Sequence, residues 1–500
     1  MTEFDSNDRR SATLPRVLGP VDAFCVVVGC TIGSGIFLVP ATVAKNVPFM
    51  SGIVLVWVIG GLFSLAGALT LAELGAMLPK AGGLYVFLRV AYGALPAFLF
   101  GWAEFLVVRS GSMATLAAAF ARYFAELCPH PAAVRDEVWQ AGAAVLAISV
   151  VTAVNILGTR RGGTLQVFGT ALKVGGVVVL IALPFLLGGG TVANFSPVWP
   201  SAAGSSIFTG MMFAMVGVLW AYDGWTNVTP LGEEIRDPGR NIPRSLLLGM
   251  AVLIAVYVAM TLAYHYVLPM ERVASAIPEP GHVEQGVAAL YCRQLLGWKG
   301  VVGISILVMC STFISLNGNA LTGPRAYFAM ARDGLFPRGL CRVHKTFQTP
   351  ANAILVQGVW AIILTVAGTV LIVVPPPAAG HGWTGPFLAA WKGLNETPLY
   401  DLLFTYVIFG ANLFYMLAIS SVFVLRVRLP DLQRPYRTLG YPLTPLLYVA
   451  GALILLGSML LDHKSRLQSL AGLGIILLGL PAYLIFRRNS PTRDSERSSP

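Results

Sequence analysis

Hydrophobic residues form long, nearly uninterrupted runs from about residue 20 to residue 486, with short polar segments between them. A helix needs about 20 apolar residues to cross a bilayer, and most of the runs reach that length. The pattern therefore predicts an all-α polytopic membrane protein. The twelve predicted spans are 20–44, 51–77, 84–127, 139–157, 163–188, 207–230, 245–268, 300–328, 351–374, 400–427, 441–461 and 467–486.

The first run is interrupted near its middle by the sequence TIGSGI at 31–36. Each glycine costs a helix about 1 kcal/mol, and bare backbone is tolerated at membrane depth only against protein or a watery cavity. A break here would leave free N–H groups at the start of a half-helix, where they can hold a carboxylate. Alternatively, the glycines let another helix pack closely. This segment alone leaves both explanations open.

A second interruption lies in the sixth run, which reads VLWAYDGWTN at 218–227. Asp223 followed by Gly224 is a poor helix segment and is costly to bury. One explanation is an unwound stretch whose carbonyls accept hydrogen bonds from an ammonium group. The other is a polar kink where the helix leaves the membrane. The first is favoured, because an ionisable residue inside a span is a functional-site hypothesis by default.

The two interrupted runs each open a set of five spans, and the first set ends near the GGG sequence at 188–190. Because five is odd, the second set is upside down relative to the first. This arrangement indicates an inverted-repeat transporter that binds substrate between two discontinuous helices. The predicted parts are a cytoplasmic segment 1–19, a first repeat 20–190, a second repeat 207–427, accessory helices 441–486 and a cytoplasmic tail 487–500.

Composition agrees with a membrane protein, since 56% of the residues are hydrophobic and 11% are charged, against about 25% charged in soluble domains. The start of the chain lacks the apolar core of a signal peptide. With both termini cytoplasmic, Lys and Arg concentrate in cytoplasmic segments, as the positive-inside rule requires. The net charge of +11 therefore reflects how the chain is oriented in the membrane. We predict a cell-membrane protein surrounded by lipid, and the charge gives no reason to expect a nucleic-acid partner.

Catalytic and metal-binding patterns are missing from the sequence. No CxxC or HExxH occurs, and His265 is the one histidine inside a predicted span. We therefore predict no enzyme activity, no metal and no cofactor.

Several ordered motifs resemble the amino acid–polyamine–organocation (APC) superfamily, above all its L-type amino acid transporter branch and the bacterial serine/threonine exchangers. The resemblance extends from about residue 16 to 486. Its motifs are GSGIF at 33–37, EL at 73–74, PKAGGLY at 79–85, WAYDGW at 220–225, GEEIRDPGRNIPR at 232–244, NG at 317–318, Arg325 and ARDG at 331–334.

This resemblance implies a LeuT-like core of five plus five helices, with helices 1 and 6 discontinuous and two accessory helices. It implies a secondary active transporter of neutral L-amino acids that works by alternating access, through sodium-independent exchange or proton-linked uptake. The alternatives are a transporter of cationic amino acids or polyamines, or a non-transporting light chain or sensor.

The resemblance also implies roles for the residues of the two breaks. Gly33, Ser34 and Gly35 would bind the substrate carboxylate. The carbonyls of Thr31, Trp220 and Asp223 would hold the amino group. The complete predicted substrate-binding set is Thr31, Ile32, Gly33, Ser34, Gly35, Trp220, Ala221, Tyr222 and Asp223.

Two of these side chains have alternative explanations. Trp220 would close over the substrate as a gate, or it is a packing residue. The Asp223 side chain admits cationic substrates if it faces the pocket, whereas pointing into protein it caps the unwound backbone.

Two basic residues fall inside predicted spans. Lys173 lies about 15 Å into the fifth span, near mid-bilayer, where a cation needs an oxygen partner unless its head snorkels to the interface. In the family, a lysine here occupies the place of a sodium ion in sodium-coupled relatives, which argues against sodium dependence. Arg109, midway in the third span, is expected to be structural and paired across the bundle with Glu104 or an aspartate.

The loop after the sixth span alternates acidic residues, such as Glu233 and Glu234, with arginines. It is either an ordinary solvated face or, together with Glu73 and Arg325, a gate that locks the cytoplasmic side. Both explanations remain open.

Cys128 precedes a proline in the loop where eukaryotic light chains carry their linking cysteine. Nothing else in the sequence indicates a heavy chain, so no such partner is expected. A monomer suffices for the predicted activity, and the oligomeric state stays open.

Overall fold

The computed structural model describes residues 13–129, 134–200, 205–276, 286–373, 399–461 and 463–488. In these ranges the regular structure is helical. The helices are α1 (Pro20–Thr31), α2 (Gly35–Asn46), α3 (Met50–Met77), α4 (Leu84–Tyr92), α5 (Ala94–Ala103), α6 (Arg109–Leu127), α7 (Asp136–Ile156), α8 (Thr159–Leu187), α9 (Ser205–Tyr222), α10 (Pro238–Val267), α11 (Met270–Ser275), α12 (Val287–Leu296), α13 (Trp298–Thr322), α14 (Pro324–Arg332), α15 (Ala351–Val373), α16 (Leu399–Arg428), α17 (Leu443–Leu461), α18 (His463–Leu477) and α19 (Gly479–Arg488).

Eleven segments of the described chain are long and apolar enough to cross a membrane, and the bent pair α1–α2 brings the number to twelve. The all-α polytopic class is therefore confirmed. The third span begins later than predicted, at Ala94, and α4 is a separate short helix before it. The reason is Gly93, whose φ of 92° ends α4, since side-chain-bearing residues rarely adopt that conformation.

Both predicted interruptions are present. The axes of α1 and α2 meet at 41°. The sixth span changes from α9 to a 3₁₀ turn, Trp225–Val228, at Gly224, which has φ 121°. A Cβ on Gly224 would lie 2.8 Å from the carbonyl carbon of Cys30. The glycine therefore lets the second break approach the backbone of the first.

Helix packing places the first break in the interior of the bundle. α1 packs against α8, α10 and α13, whereas α2 packs against α9. The residues that flank the break are buried from Val26 to Phe37. Lipid therefore does not reach the irregular backbone, as the absence of water in the bilayer core requires.

One end of the bundle is tied together by a buried ion pair between Glu234, after the second break, and Arg325 on α14. Arg325 Nε donates to Glu234 Oε2 at 2.8 Å, and neither side chain is exposed. The hydroxyl of Thr159 at the start of α8 donates to the same carboxylate at 2.7 Å. Leu18 joins this end through its N–H, which donates to the Glu234 carbonyl at 3.0 Å.

Glu73 lies in a different cluster from the one that the sequence predicted. Its carboxylate accepts hydrogen bonds from Arg426 on α16, at 3.0 and 2.7 Å, and from the N–H and hydroxyl of Thr438. Among the described residues, Glu73 bonds neither to Arg325 nor to the 232–244 loop. Glu73 and Arg325 therefore do not bond to each other, since Glu73 pairs with Arg426 and Arg325 pairs with Glu234 of the loop.

We expect Arg325→Ala to lower the free energy of unfolding by about 3–5 kcal/mol, since it leaves the Glu234 carboxylate buried and unpaired. Arg332→Ala is the matched control, because its partner Glu233 is 18% exposed and such a pair contributes about 1 kcal/mol or less. Denaturant unfolding of the detergent-purified variants measures both. Equal losses in the two variants would contradict the structural role of the buried pair.

Candidate functional site

The first break leaves backbone donors without acceptors. The N–H of Gly33 donates to the Thr31 carbonyl at 2.8 Å. In the part of the chain that the structure describes, the N–H groups of Ser34, Gly35 and Ile36 have no acceptor. The hydroxyl of Ser34, 2% exposed, has none either. Three N–H groups and one hydroxyl at the positive end of α2 can therefore bind a carboxylate.

The two glycines of this break differ in the space around them. A Cβ on Gly33 would lie 3.6 Å from the side chains of Leu116 and Ser315, which is ordinary van der Waals distance. A Cβ on Gly35 would lie 2.7 Å from the Cα of Ala221. The close-packing explanation therefore applies to Gly35, whereas the carboxylate-binding explanation stays a prediction. Gly35 lets α2 pack on α9, and Gly33 faces the side chains of Leu116 on α6 and Ser315 on α13.

Tyr257 on α10 joins the two breaks. Its hydroxyl, fully buried, lies 3.0 Å from the carbonyl oxygen of Thr31 and 2.9 Å from that of Ala221. The Tyr257 ring packs against Trp57 and Tyr222. This role could not be predicted from the sequence, because a tyrosine in an apolar run is ordinarily a packing residue.

The carbonyls predicted to hold the amino group are unequally available. The Thr31 carbonyl already accepts hydrogen bonds from the N–H of Gly33 and the hydroxyl of Tyr257. The Trp220 carbonyl accepts a hydrogen bond from the N–H of Asp223 at 3.0 Å. The Asp223 carbonyl accepts no hydrogen bond from the described residues. This geometry favours Asp223 over Thr31 as an acceptor for an ammonium group.

The side chain of Asp223 contacts α16. Its Oδ1 accepts the hydroxyl of Tyr415 at 3.0 Å. Asp223 also lines a cavity of about 20 Å³, which has room for water and not for an amino acid. The lining comes from α3, the sixth span, α16 and α17, and α1 and α2 contribute nothing to it. The lining residues are Phe63, Ser64, Leu219, Trp220, Asp223, Trp225, Ile408, Ala411, Asn412, Tyr415 and Tyr448.

Lys173 is fully buried and its ammonium group is held in the interior. Nζ donates to the carbonyls of Gly29 and Ile32, at 2.7 and 2.6 Å, and to that of Ser311 at 3.0 Å. It also lies 3.1 Å from Ser315 Oγ. The head therefore does not snorkel to the interface. It joins the broken end of α1 to α13 with a fixed positive charge.

Arg109 pairs with Glu104 at 2.6 Å, as predicted, but along one span and not across the bundle. The two residues are brought together by the π-helical turn Glu104–Val108. The contacts across the bundle are to amides: Arg109 also donates to Asn227, just after the second break, and to Asn319 on α13 at 3.2 Å. Sequence reasoning missed both asparagines.

Comparison with known proteins assigns this site to a family. The model of the amino acid permease family matches residues 18–476. The serine/threonine exchanger SteT of Bacillus subtilis is 30% identical over 478 residues, which cover 94% of this chain and 96% of the exchanger. The mouse b(0,+)-type amino acid transporter 1 is 29% identical, over 96% of this chain and 90% of that protein. The human cystine/glutamate transporter is 27% identical, over 92% of this chain and 83% of the relative.

These relatives are named as transporters or exchangers, which confirms that the chain belongs with transport proteins and not with enzymes. The family model covers all twelve spans except the end of the last, so it includes both breaks and Lys173. The chain is a member of the amino acid permease family and an amino acid transporter of the APC superfamily.

Proposed function

We propose that the chain transports neutral L-amino acids by alternating access, without sodium, through exchange or proton-linked uptake. The observation that carries the proposal is the pairing of two features at one helix break. Unpaired N–H groups at the start of α2 suit a carboxylate, and the Lys173 ammonium group bonds to Ile32 immediately before them. The name of the Bacillus relative, a serine/threonine exchanger, supports exchange of a small neutral substrate.

The substrate head group lies between the two breaks in this proposal. Its carboxylate accepts hydrogen bonds from the N–H groups of Ser34, Gly35 and Ile36. It also accepts one from the hydroxyl of Ser34. Its ammonium group donates to the free carbonyl of Asp223. Backbone groups thus recognise the part that all amino acids share, and the substrate side chain lies beside Leu116 and Ser315, which a Cβ on Gly33 would contact.

A neutral substrate is favoured over a cationic one by the surroundings of Asp223. Its carboxylate accepts the Tyr415 hydroxyl, in a cavity to which α1 and α2 contribute nothing. The side chain is therefore engaged away from the Gly33 break. Transport of cationic amino acids or polyamines remains the alternative, since a carboxylate that turned from Tyr415 would attract a second ammonium group.

Sodium independence follows from Lys173. An ion site needs several oxygens left free for the cation, and here the carbonyls of Gly29, Ile32 and Ser311 already accept an ammonium group. A sodium ion placed there would meet a fixed positive charge at contact distance. The protein therefore carries its own cation at this point of the bundle.

Alternating access requires the two ends to open in turn. The buried Glu234–Arg325 pair and the Leu18–Glu234 backbone bond close one end, which we assign to the cytoplasm. The Glu73–Arg426 pair contributes a second closure there. Trp220, beside the second break, is the proposed gate at the other end.

We further propose that residues 20–190 and 207–427 form the two inverted repeats in the cell membrane, with 441–486 as accessory helices. Another protein similar to this chain, the large neutral amino acids transporter small subunit 2 of the rabbit, is named as a small subunit. Since the bacterial exchanger matches over nearly its whole length, we propose that this chain acts without a heavy chain. The exposed Cys128 is then an ordinary loop thiol.

Orientation is tested by cysteine labelling in intact cells with a membrane-impermeant maleimide. Both termini lie outside the described residues, and we expect cysteines placed at Ser6 or Ser498, in a Cys128→Ser background, to stay unlabelled until the membrane is permeabilised. The unaltered Cys128, which is exposed, is the positive control and should react from outside. Labelling of either terminus in intact cells would reverse the orientation.

Sodium independence is tested by replacing sodium with choline in proteoliposomes. Uptake of a labelled neutral amino acid should change by less than twofold, because the Lys173 ammonium group occupies the oxygens that sodium would need. Loading the vesicles with unlabelled amino acid should stimulate uptake if the mode is exchange, whereas an inward proton gradient should do so if it is proton-linked. A steep sodium dependence would remove the role proposed for Lys173.

The carboxylate site is tested at Gly33. Gly33→Ala adds a methyl group that the fold has room for, but at the break where the ligand must approach. We therefore expect normal yield with substrate affinity lowered about tenfold or more, or at least 1.4 kcal/mol. Ser34→Ala should cost about 1 kcal/mol of binding, as it removes one hydrogen bond.

Two other glycines provide controls for this experiment. Gly175→Ala, on α8 with open space around it, should leave yield and affinity unchanged. Gly35→Ala should lower the yield of folded protein, because its Cβ collides with the backbone of Ala221. Unchanged affinity per folded molecule of Gly33→Ala would mean that this break does not bind the carboxylate.

A further inference from the structure

Six exposed arginines gather at the end of the bundle where α1, α8 and α10 begin. Backbone bonds hold these starts together: Leu18, just before α1, pairs with Glu234 and Arg236, and Thr159 of α8 bonds to Glu234. We define the six as the basic surface. They are Arg16, Arg160, Arg161, Arg236, Arg240 and Arg244.

None of these six arginines has a carboxylate partner among the described residues. By contrast, Arg325, Arg332 and Arg426 each form an ion pair with a glutamate. Four carboxylates lie near the basic surface in sequence: Glu233 and Glu234 are paired with Arg332 and Arg325, and the other two are Asp22 and Asp237. Asp22 accepts the N–H of Gly19 at 2.7 Å, which caps the start of α1. The surface thus carries a strong excess of positive charge.

The basic surface continues into apolar side chains that face outward. On α10, Arg240 and Arg244 are followed one turn later by Leu248, which is 60% exposed. On α8, Arg161 is followed two turns later by Phe168, which is 69% exposed. Residues four apart share a helix face, and one turn rises about 5.4 Å. On both helices, the charged residues are therefore followed on the same face by exposed apolar side chains.

We propose that the basic surface binds the headgroups of anionic phospholipids. A guanidinium group matches a phosphate in a bidentate geometry, and clusters of arginines at the cytoplasmic ends of membrane helices attract anionic lipids. A soluble phosphorylated partner would match the arginines alone, whereas a phospholipid also covers Leu248 and Phe168. The continuity of the charged and apolar surfaces therefore identifies a membrane lipid.

The location gives this lipid a consequence for the helix that contains the first break. Arg16 lies four residues before α1, and its carbonyl accepts a bond from Arg236 Nε at 3.4 Å. Val21, on the first turn of α1, is 60% exposed on the same side. A bound headgroup would thus bridge the start of α1 to those of α8 and α10, and stabilise the closed end.

The experiment compares lipid binding by the detergent-purified full chain, using phosphatidylglycerol, phosphatidylcholine and soluble glycerol phosphate as probes. Native mass spectrometry counts bound lipids, and thermal unfolding follows the stabilisation they confer. We expect phosphatidylglycerol to bind at least tenfold more tightly than phosphatidylcholine. Glycerol phosphate should not compete at the same concentration, and added salt should weaken the preference.

The triple variant Arg161→Gln/Arg240→Gln/Arg244→Gln should lose most of that preference, since each arginine strengthens binding to an anionic surface roughly fivefold. The matched control is Arg338→Gln/Arg342→Gln/Lys345→Gln, which removes three exposed charges in the connection between α14 and α15 and should keep the preference. If the triple variant yields too little folded protein, each single substitution is expected to reduce the preference severalfold.

Three results would overturn the proposal. A triple variant, or a full set of single variants, that keeps the preference for phosphatidylglycerol would exclude the basic surface. An equal loss in the control variant would mean that diffuse positive charge accounts for lipid binding. Competition by glycerol phosphate as strong as by the lipid would identify a site for free phosphate esters. None of these results bears on the carboxylate site at Gly33, because the substituted residues are remote from it in the sequence and exposed.

Discussion

The structure depends on one constraint, which is that backbone exposed at a helix break inside a membrane must find partners within the protein. Water does not compete for those groups, and each unsatisfied group costs several kcal/mol. The first break meets this constraint on one side of the backbone only. Carbonyls of the first break are occupied by Lys173, Tyr257, Ser311 and Ser315. The amide donors at the start of α2 remain open.

In the proposed mechanism, this asymmetry is what makes the break usable for transport. Carbonyls bonded by side chains of α8, α10 and α13 hold the end of α1 in place. Open N–H groups at the start of α2 keep an affinity that a carboxylate can satisfy. A break whose backbone N–H and carbonyl groups were all hydrogen-bonded within the protein would be stable but could not bind a substrate. A break with none of these groups hydrogen-bonded would be too unstable to form in the bilayer.

Charge performs three separate tasks in the bundle. Lys173 supplies a fixed cation to the interior, and the Arg109–Glu104 pair bonds to Asn227 beside the second break. The Glu234–Arg325 pair closes one end. Buried ion pairs of this kind contribute little net stability to the fold. Removing one partner is nevertheless strongly destabilising, because the other charge is left buried and unpaired. An end closed by such pairs can therefore open when the whole pair becomes hydrated.

The sequence by itself determined the number of spans, the two breaks and the depth of Lys173. These properties depend on local composition, because a bilayer demands long apolar helices and penalises Gly-Ser-Gly or Asp-Gly within them. The start of the third span was misplaced, since only the backbone conformation of Gly93 revealed that α4 ends there. Resemblance to known transporters supplied the roles of the break residues, which composition could not.

Tertiary structure alone decided which groups meet. Glu73 and Arg325 both belong to one end of the bundle, yet they pair with different partners, Arg426 and Glu234. Tyr257 bridges the two breaks, although the apolar run around it in the sequence contains no motif that indicates this contact. Gly33 and Gly35 are two residues apart, and only one has room for a side chain. Pairing at such distances in sequence depends on helix packing, because side-chain periodicity fixes the face of a helix and not the neighbour that the face meets.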